Sequence, residues 1–228
     1  MPLLPNRLTL MQRIQDAAGH GYTHYTIGQI PPDRWHGLEA KFARAYDTDL
    51  AKSTRSRWRR SGHSVAQLYG CSPPPYAPTE PVVWVLMATP GRGRIHVREL
   101  MDEIEAKRIV LDGYELVHDG STWTWQMTQA RYRYWRELIH TIAGREPERR
   151  RYGTDEQGRY DAEIERVMDQ LYNTPGFRLV RRQVGHLLHY ARRQWKELRP
   201  KAGPQIRRRD FLPYVQRLPN SQKPSKGR

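Results

Sequence analysis

Residues 82–88 read VVWVLMA, the longest unbroken apolar run in a chain of mean hydropathy −0.88. A membrane span needs about 20 apolar residues, so this run is far too short for one. Pro81 precedes it and Thr89-Pro90-Gly91 follows. A bounded, valine-rich run of this length predicts a central, buried β-strand. The rest of the body has to supply its neighbours.

Tyr22–Ile30 is rich in β-formers and stops at Pro31 and Pro32, which predicts a first strand. His63–Tyr69 predicts a second, with Val65, Gln67 and Tyr69 on one face. Tyr114–His118 and Thr122–Met127 flank Asp119-Gly120-Ser121, a hairpin signal, and Trp123, Trp125 and Met127 share one face of its second arm. Helical spacing of apolar residues appears at Leu8, Met11, Ile14 and Ala18, and again at Trp35, Leu38, Phe42, Ala45 and Tyr46. Val97, Leu100, Met101 and Ile104 predict another inward stripe, and Tyr132, Trp135, Leu138, Ile139 and Ile142 a fourth. Between the second and third strands, CSPPPYAPTEP holds five prolines in eleven residues and can only be an irregular connector.

The expected fold class is therefore α+β: an antiparallel sheet of about four or five strands in a β-α-β-β-α-β, ferredoxin-like order with flanking helices, then a basic C-terminal helical region. The expected divisions are a body over residues 1–145, a polar hinge over 146–159, a basic helical pair over 160–200 and a basic, disordered tail over 201–228. Within the pair, Asp161–Tyr172 and Pro175–Arg199 carry the apolar stripes. Thr174-Pro175 reads as cap and first turn of the second helix, which Pro200 ends.

Charge points to the partner. The formal net charge is +15. Residues 177–228 hold 15 Lys and Arg against two acids, Glu197 and Asp210, a net of +13 that leaves only +2 for residues 1–176. A field of that sign and placement favours a polyanion, DNA or RNA, over an acidic membrane face. Two surfaces carry the expectation. The stretch STRSRWRRSG, residues 53–62, groups Arg55, Arg57, Arg59 and Arg60 around Trp58. If helical, it aligns Arg55 with Arg59 and turns Trp58 elsewhere; if extended, Arg55, Arg57 and Arg59 share a face opposite Trp58. The helix Pro175–Arg199 sets Arg178, Arg181, Arg182, Arg192, Arg193, Lys196 and Arg199 off its apolar stripe, and Arg207, Arg208 and Arg209 follow in a basic arm.

Catalytic chemistry has thinner support. His20, His24 and Tyr25 lie around the first strand and are the candidates for acid–base or nucleophilic cleavage of a phosphodiester. The alternative readings are thus a metal-independent nuclease or nicking factor on RNA or single-stranded DNA, or a helical adaptor binding protein through Pro175–Arg199. Thr89–Arg94 (TPGRGR) lacks the GxxxxGK[ST] pattern of nucleotide hydrolysis, though Arg92 and Arg94 suit a phosphate backbone. His186 and His189 are three apart without a third ligand, so no metal and no cofactor is expected. The single cysteine, Cys71, excludes a disulfide framework, and MPLLPNRLTL carries no long apolar leader. The expected location is the cytoplasm.

Overall fold

The computed structural model describes residues 3–144, 156–198, 206 and 210–220. Among them the fold is mixed α+β, with seven helices and two antiparallel sheets. The chain divides into two compact units, one of residues 1–109, 116–123 and 216–228, the other of residues 110–115 and 124–215. The stretch 145–155, most of the expected hinge, lies outside the described residues.

In the first unit, β1 (His24–Ile30), β2 (Ala66–Cys71), β3 (Val82–Ala88) and β4 (Asp102–Glu103) form a sheet in the order β2-β3-β1-β4. Every neighbouring pair is antiparallel. The VVWVLMA run is β3, central as expected, with Tyr25 opposite Met87 on one side and Leu68 opposite Leu86 on the other. Strand alternation sends Tyr69 and Gly70 to opposite faces. On the Gly70 face, α2 (Trp35–Tyr46) buries Trp35 and Phe42 against Leu68, Leu86 and Val82. Glycine is needed there because the Trp35 ring and Leu3 lie where a Cβ would stand. On the Tyr69 face lies α1 (Arg7–Gly19), which buries Leu10, Met11 and Ile14 and starts at Asn6, whose Oδ1 accepts from Thr9 N at 2.9 Å.

The expected helix through Ile104 is not formed. Helix α4 covers only Ile95–Arg98, and Val97 and Leu100 are 87% and 93% exposed. Glu99 turns extended, Asp102 and Glu103 pair with Tyr25 and His24, and Ile104 N donates to Thr23 O at 2.9 Å. The unpaired edge of β1 offers backbone hydrogen bonds that outweigh a weak helical stripe, and only Met101 and Ile104 turn inward. The edge place in this sheet therefore goes to β4 and not to the hairpin.

The hairpin forms with its turn as read: Asp119 Oδ1 accepts from Ser121 N and Thr122 N at 3.2 and 3.1 Å, and Gly120 takes φ +89°. Its arms, β6 (Tyr114–His118) and β7 (Trp123–Met127), join β5 (Val110–Leu111) in a second sheet, ordered β5-β6-β7.

The second unit holds α5 (Gln129–Gly144), α6 (Glu156–Tyr172) and α7 (Arg178–Leu198). Val180, Val184, Leu187, Leu188, Ala191 and Trp195 form the buried stripe of α7, and α5 contributes Trp135, Ile139 and Ile142 to the core. Thr174 does not cap α7: its Oγ1 donates to Leu171 O at 2.7 Å and so closes α6. Part of the stretch read as a disordered tail is packed. Ile206 and Leu212 are buried, and Val215 N donates to Gly176 O at 3.1 Å. No helix among the described residues is long and apolar enough to cross a membrane.

Candidate nucleic-acid interface

The STRSRWRRSG stretch becomes α3 (Lys52–Arg60), a nine-residue helix that buries no residue and has no acid in its sequence. Arg57, Arg59 and Arg60 in its last turn suit the negative end of the helix dipole. Arg55 and Arg59, one turn apart, repel each other, an arrangement that an anion relieves. Lys52, Arg55, Ser56, Arg59 and Arg60 fall at steps of three and four and share one face.

That face lines a cleft of about 640 Å³ in the first unit. The opposite walls are the last turns of α1 (Arg13, Asp16 and Ala17) with its C-cap His20, then Tyr22, and Gln67 and Tyr69 of β2. Gln67 braces the cationic side. The orientation of its amide that satisfies every neighbour has Oε1 accepting from Arg55 Nη1 and Nη2 at 3.2 and 3.1 Å and from the Tyr22 hydroxyl at 3.1 Å. Its Nε2 then donates to the Tyr69 hydroxyl. The Arg59 guanidinium lies 5.8 Å from the centre of the Tyr22 ring and against Gly21, which holds φ +84°. Any side chain at position 21 would displace it.

The electrostatics are one-sided. Burial pushes the Tyr22 phenol up, against the pull of Arg55 and Arg59, and does the same to Tyr69. Both hydroxyls stay neutral, so neither supplies a counter-charge. Asp16 is the one carboxylate among the lining residues, and its Oδ2 is already held by Arg13 Nη1 at 3.2 Å and Arg217 Nη2 at 2.7 Å. Among the described residues, Lys52, Arg55, Arg59 and Arg60 form no ion pair. A cleft with four uncompensated cations and fixed hydroxyl and amide groups is suited to phosphate.

The remaining candidates are distributed as follows. Arg57 is exposed on α3, and Trp58 is half-buried on the side away from the cleft. On α7, Arg178, Arg182 and Lys196 are exposed, while Arg192 is half-buried. Arg193 pairs with Glu197 at 3.6 Å. Arg181 turns to its own chain, its guanidinium 3.6 Å from the centre of the Tyr214 ring and its Nε donating to Leu212 O. Arg199, Arg207, Arg208 and Arg209 lie outside the described residues.

His20 sits at the cleft with Nδ1 2.6 Å from Asp16 O. His24 stands elsewhere, edge-on to His96 at 4.9 Å between ring centres. Tyr25 is 2% exposed, its hydroxyl donates to Arg108 O at 3.1 Å, and burial, helped by Asp102, pushes its pKa up to about 12. The structure does not bring these three together. One pair outside the expectation looks like nucleophile and base: His96 Nε2 lies 3.0 Å from Ser64 Oγ. Yet Ser64 Oγ donates to Thr89 O at 2.7 Å and His96 Nε2 is 3.0 Å from the same oxygen. A carbonyl only accepts, so both groups are satisfied when both donate to it, and the imidazole is then no base toward Ser64.

Sequence reasoning missed Lys52 and Ser56, although their spacing from Arg55 and Arg59 puts them on the same helical face. It also missed Arg13, Asp16, Tyr22, Gln67 and Tyr69, which reach the cleft only through the packing of α1 on the sheet. No family model, curated protein or solved structure matches the chain.

Proposed function

We propose that this chain binds nucleic acid through its phosphates, with the cleft beside α3 as the principal contact. The observation that carries this reading is the uncompensated row Lys52, Arg55, Arg59 and Arg60 facing two neutral buried tyrosines. A phosphate backbone supplies the repeated anions such a row needs, and each contact made releases counterions. The exposed Arg178, Arg182 and Lys196 of α7 offer a secondary set of contacts. The nuclease alternative has less support, because Tyr25 is held protonated and hydrogen-bonded away from His20 and His24. We read the four-stranded sheet, in the order β2-β3-β1-β4, as a ferredoxin-like arrangement reduced at its last strand. The buried thiol of Cys71 fits a cytoplasmic location.

The test is fluorescence anisotropy with labelled DNA and RNA oligonucleotides at low salt. The reading expects saturable binding that weakens steeply as salt rises and weakens further in Arg55→Ala/Arg59→Ala. Absence of binding to every oligonucleotide at low salt refutes it.

A further inference from the structure

The far side of α3 carries a second basic pocket. It encloses about 250 Å³, and its lining includes Trp58, His63, Arg92, Arg94, Tyr46 and Asp47. The pocket is built by pinning two turns together. His63 N donates to Trp58 O at 3.0 Å, Arg92 N to Gly62 O at 3.0 Å and Ser64 N to Arg92 O at 2.9 Å. Gly62 at φ +78° makes the first bend, and Gly91 at φ +136° lies so close to residues 62–64 that a Cβ would stand 2.8 Å from Ser64 N. The backbone at Arg92 is thereby held against the Gly62 turn, and Arg92 and Arg94 line the same pocket as Trp58. The His63 ring, tilted by 52° with its centre 6.3 Å from that of Trp58, does not stack on the indole. Two arginines against one carboxylate leave the pocket net positive.

Helix α3 is thus a narrow ridge with phosphate-type cations along one flank and an aromatic ring among arginines on the other. Its nine residues span roughly 13 Å at about 1.5 Å per residue, and its body is about 10 Å across, a distance of a few nucleotides.

We propose that the Trp58 pocket receives an unpaired base and that the chain's ligand is single-stranded nucleic acid, laid across α3 from the Arg92–Arg94 side to the Arg55–Arg59 cleft. This rests on the nucleic-acid reading above. Stacking on tryptophan requires a free base face, which a duplex hides between neighbouring pairs, whereas phosphate contacts do not distinguish the two forms.

The experiment compares a labelled 20-mer of thymidine, a strand of the same length and charge made of abasic residues, and a 20-bp duplex, against wild type, Trp58→Ala and Trp58→Phe. Trp58→Ala is expected to weaken thymidine-strand binding by about 5- to 160-fold, the range for one stacked base. Trp58→Phe should keep most of the affinity, duplex binding should change less than twofold, and the salt slope should not move. Wild type should prefer the thymidine strand over the abasic strand, and Trp58→Ala should close that gap. The abasic comparison needs no variant to fold, so a collapsed Trp58→Ala leaves the proposal testable. Equal loss on single strand and duplex overturns it, as does thymidine-strand binding indifferent to Trp58 or to loss of the bases. Failure of wild type to bind any of the three ligands overturns the nucleic-acid reading itself, a distinguishable result.

Discussion

Replacing Arg55 and Arg59 with alanine should change the salt dependence of binding while leaving the fold nearly untouched. Neither residue belongs to a core, since α3 buries none of its residues. Gln67 keeps the Tyr22 and Tyr69 hydroxyls as partners when Arg55 is gone. Losing an i,i+4 repulsion offsets the lost contacts, so the urea midpoint should shift by no more than about 0.5 kcal/mol equivalent. Four α3 cations line the cleft. On a single strand each phosphate contact contributes about 0.7 to the slope of log affinity against log salt, so these four account for about −2.8. Raising salt from 50 to 200 mM, a fourfold change, then weakens binding about fiftyfold through this cleft alone. The double variant keeps about −1.4 of that slope, or about a sevenfold loss over the same range. Any contact made outside the cleft adds the same constant to both slopes, so the difference of about 1.4 is the diagnostic quantity. The assay is anisotropy titration at four or five salt concentrations, with urea unfolding of both proteins as the control for folding. An unchanged slope, whatever the affinity, refutes the claim that phosphates occupy this cleft.

Gln67→Leu should leave two buried phenols without their shared partner, lowering stability by about 1–3 kcal/mol per unsatisfied group and weakening binding with little change of salt slope; urea unfolding and the same titrations check both. Gly70→Ala places a Cβ 2.7 Å from both Leu3 Cδ2 and Trp35 Cζ3, so overpacking should cost about 1–3 kcal/mol in the urea midpoint. Tyr25, raised to about 12 by burial and then by Asp102, contributes a pH dependence of defined sign. Below about pH 10 the phenol is protonated in both states and nothing changes. Between about 10 and 12 the unfolded chain ionises first, so stability falls by up to about 1.4 kcal/mol per pH unit, and Tyr25→Phe should flatten that fall in denaturant titrations at stepped pH.

Elements with a strong local signal were legible in the sequence. The VVWVLMA run could only be a buried strand, the Asp119-Gly120 turn dictated a hairpin, and the stripe of α7 required a helix. Competition between weak local signals and sheet edges was not legible. The spacing of Val97, Leu100, Met101 and Ile104 is helical, but Asp102 and Glu103 complete the hydrogen bonds of β1 and the stripe is abandoned. The cleft was half legible for a similar reason. Its cationic wall is one helical face, readable at intervals of three and four, whereas its opposite wall joins residues 13–22 to residues 67–69 through tertiary packing. In residues 177–228, where the charge imbalance is largest, Arg181 and Arg193 are engaged within their own unit, whereas Lys52, Arg55, Arg59 and Arg60 of α3 form no ion pair among the described residues.

The return of the chain to α1 has a consequence for how the cleft comes into being. Arg217 meets Asp16 across 201 positions, and Gln12 accepts from Leu218 N through Oε1 and donates to Gln216 O through Nε2 across comparable separations. The second unit is drawn from two stretches, 110–115 and 124–215, each lying between segments of the first, and the closing contacts are among the longest loops the chain makes. On a ribosome, α1 and the sheet are complete long before residue 217 emerges. Until then Asp16 stands opposite the arginines of α3 with Arg13 alone to offset it. Docking of residues 216–220 therefore adds Arg217 to a cleft in which Arg13 and the four α3 cations already outnumber Asp16.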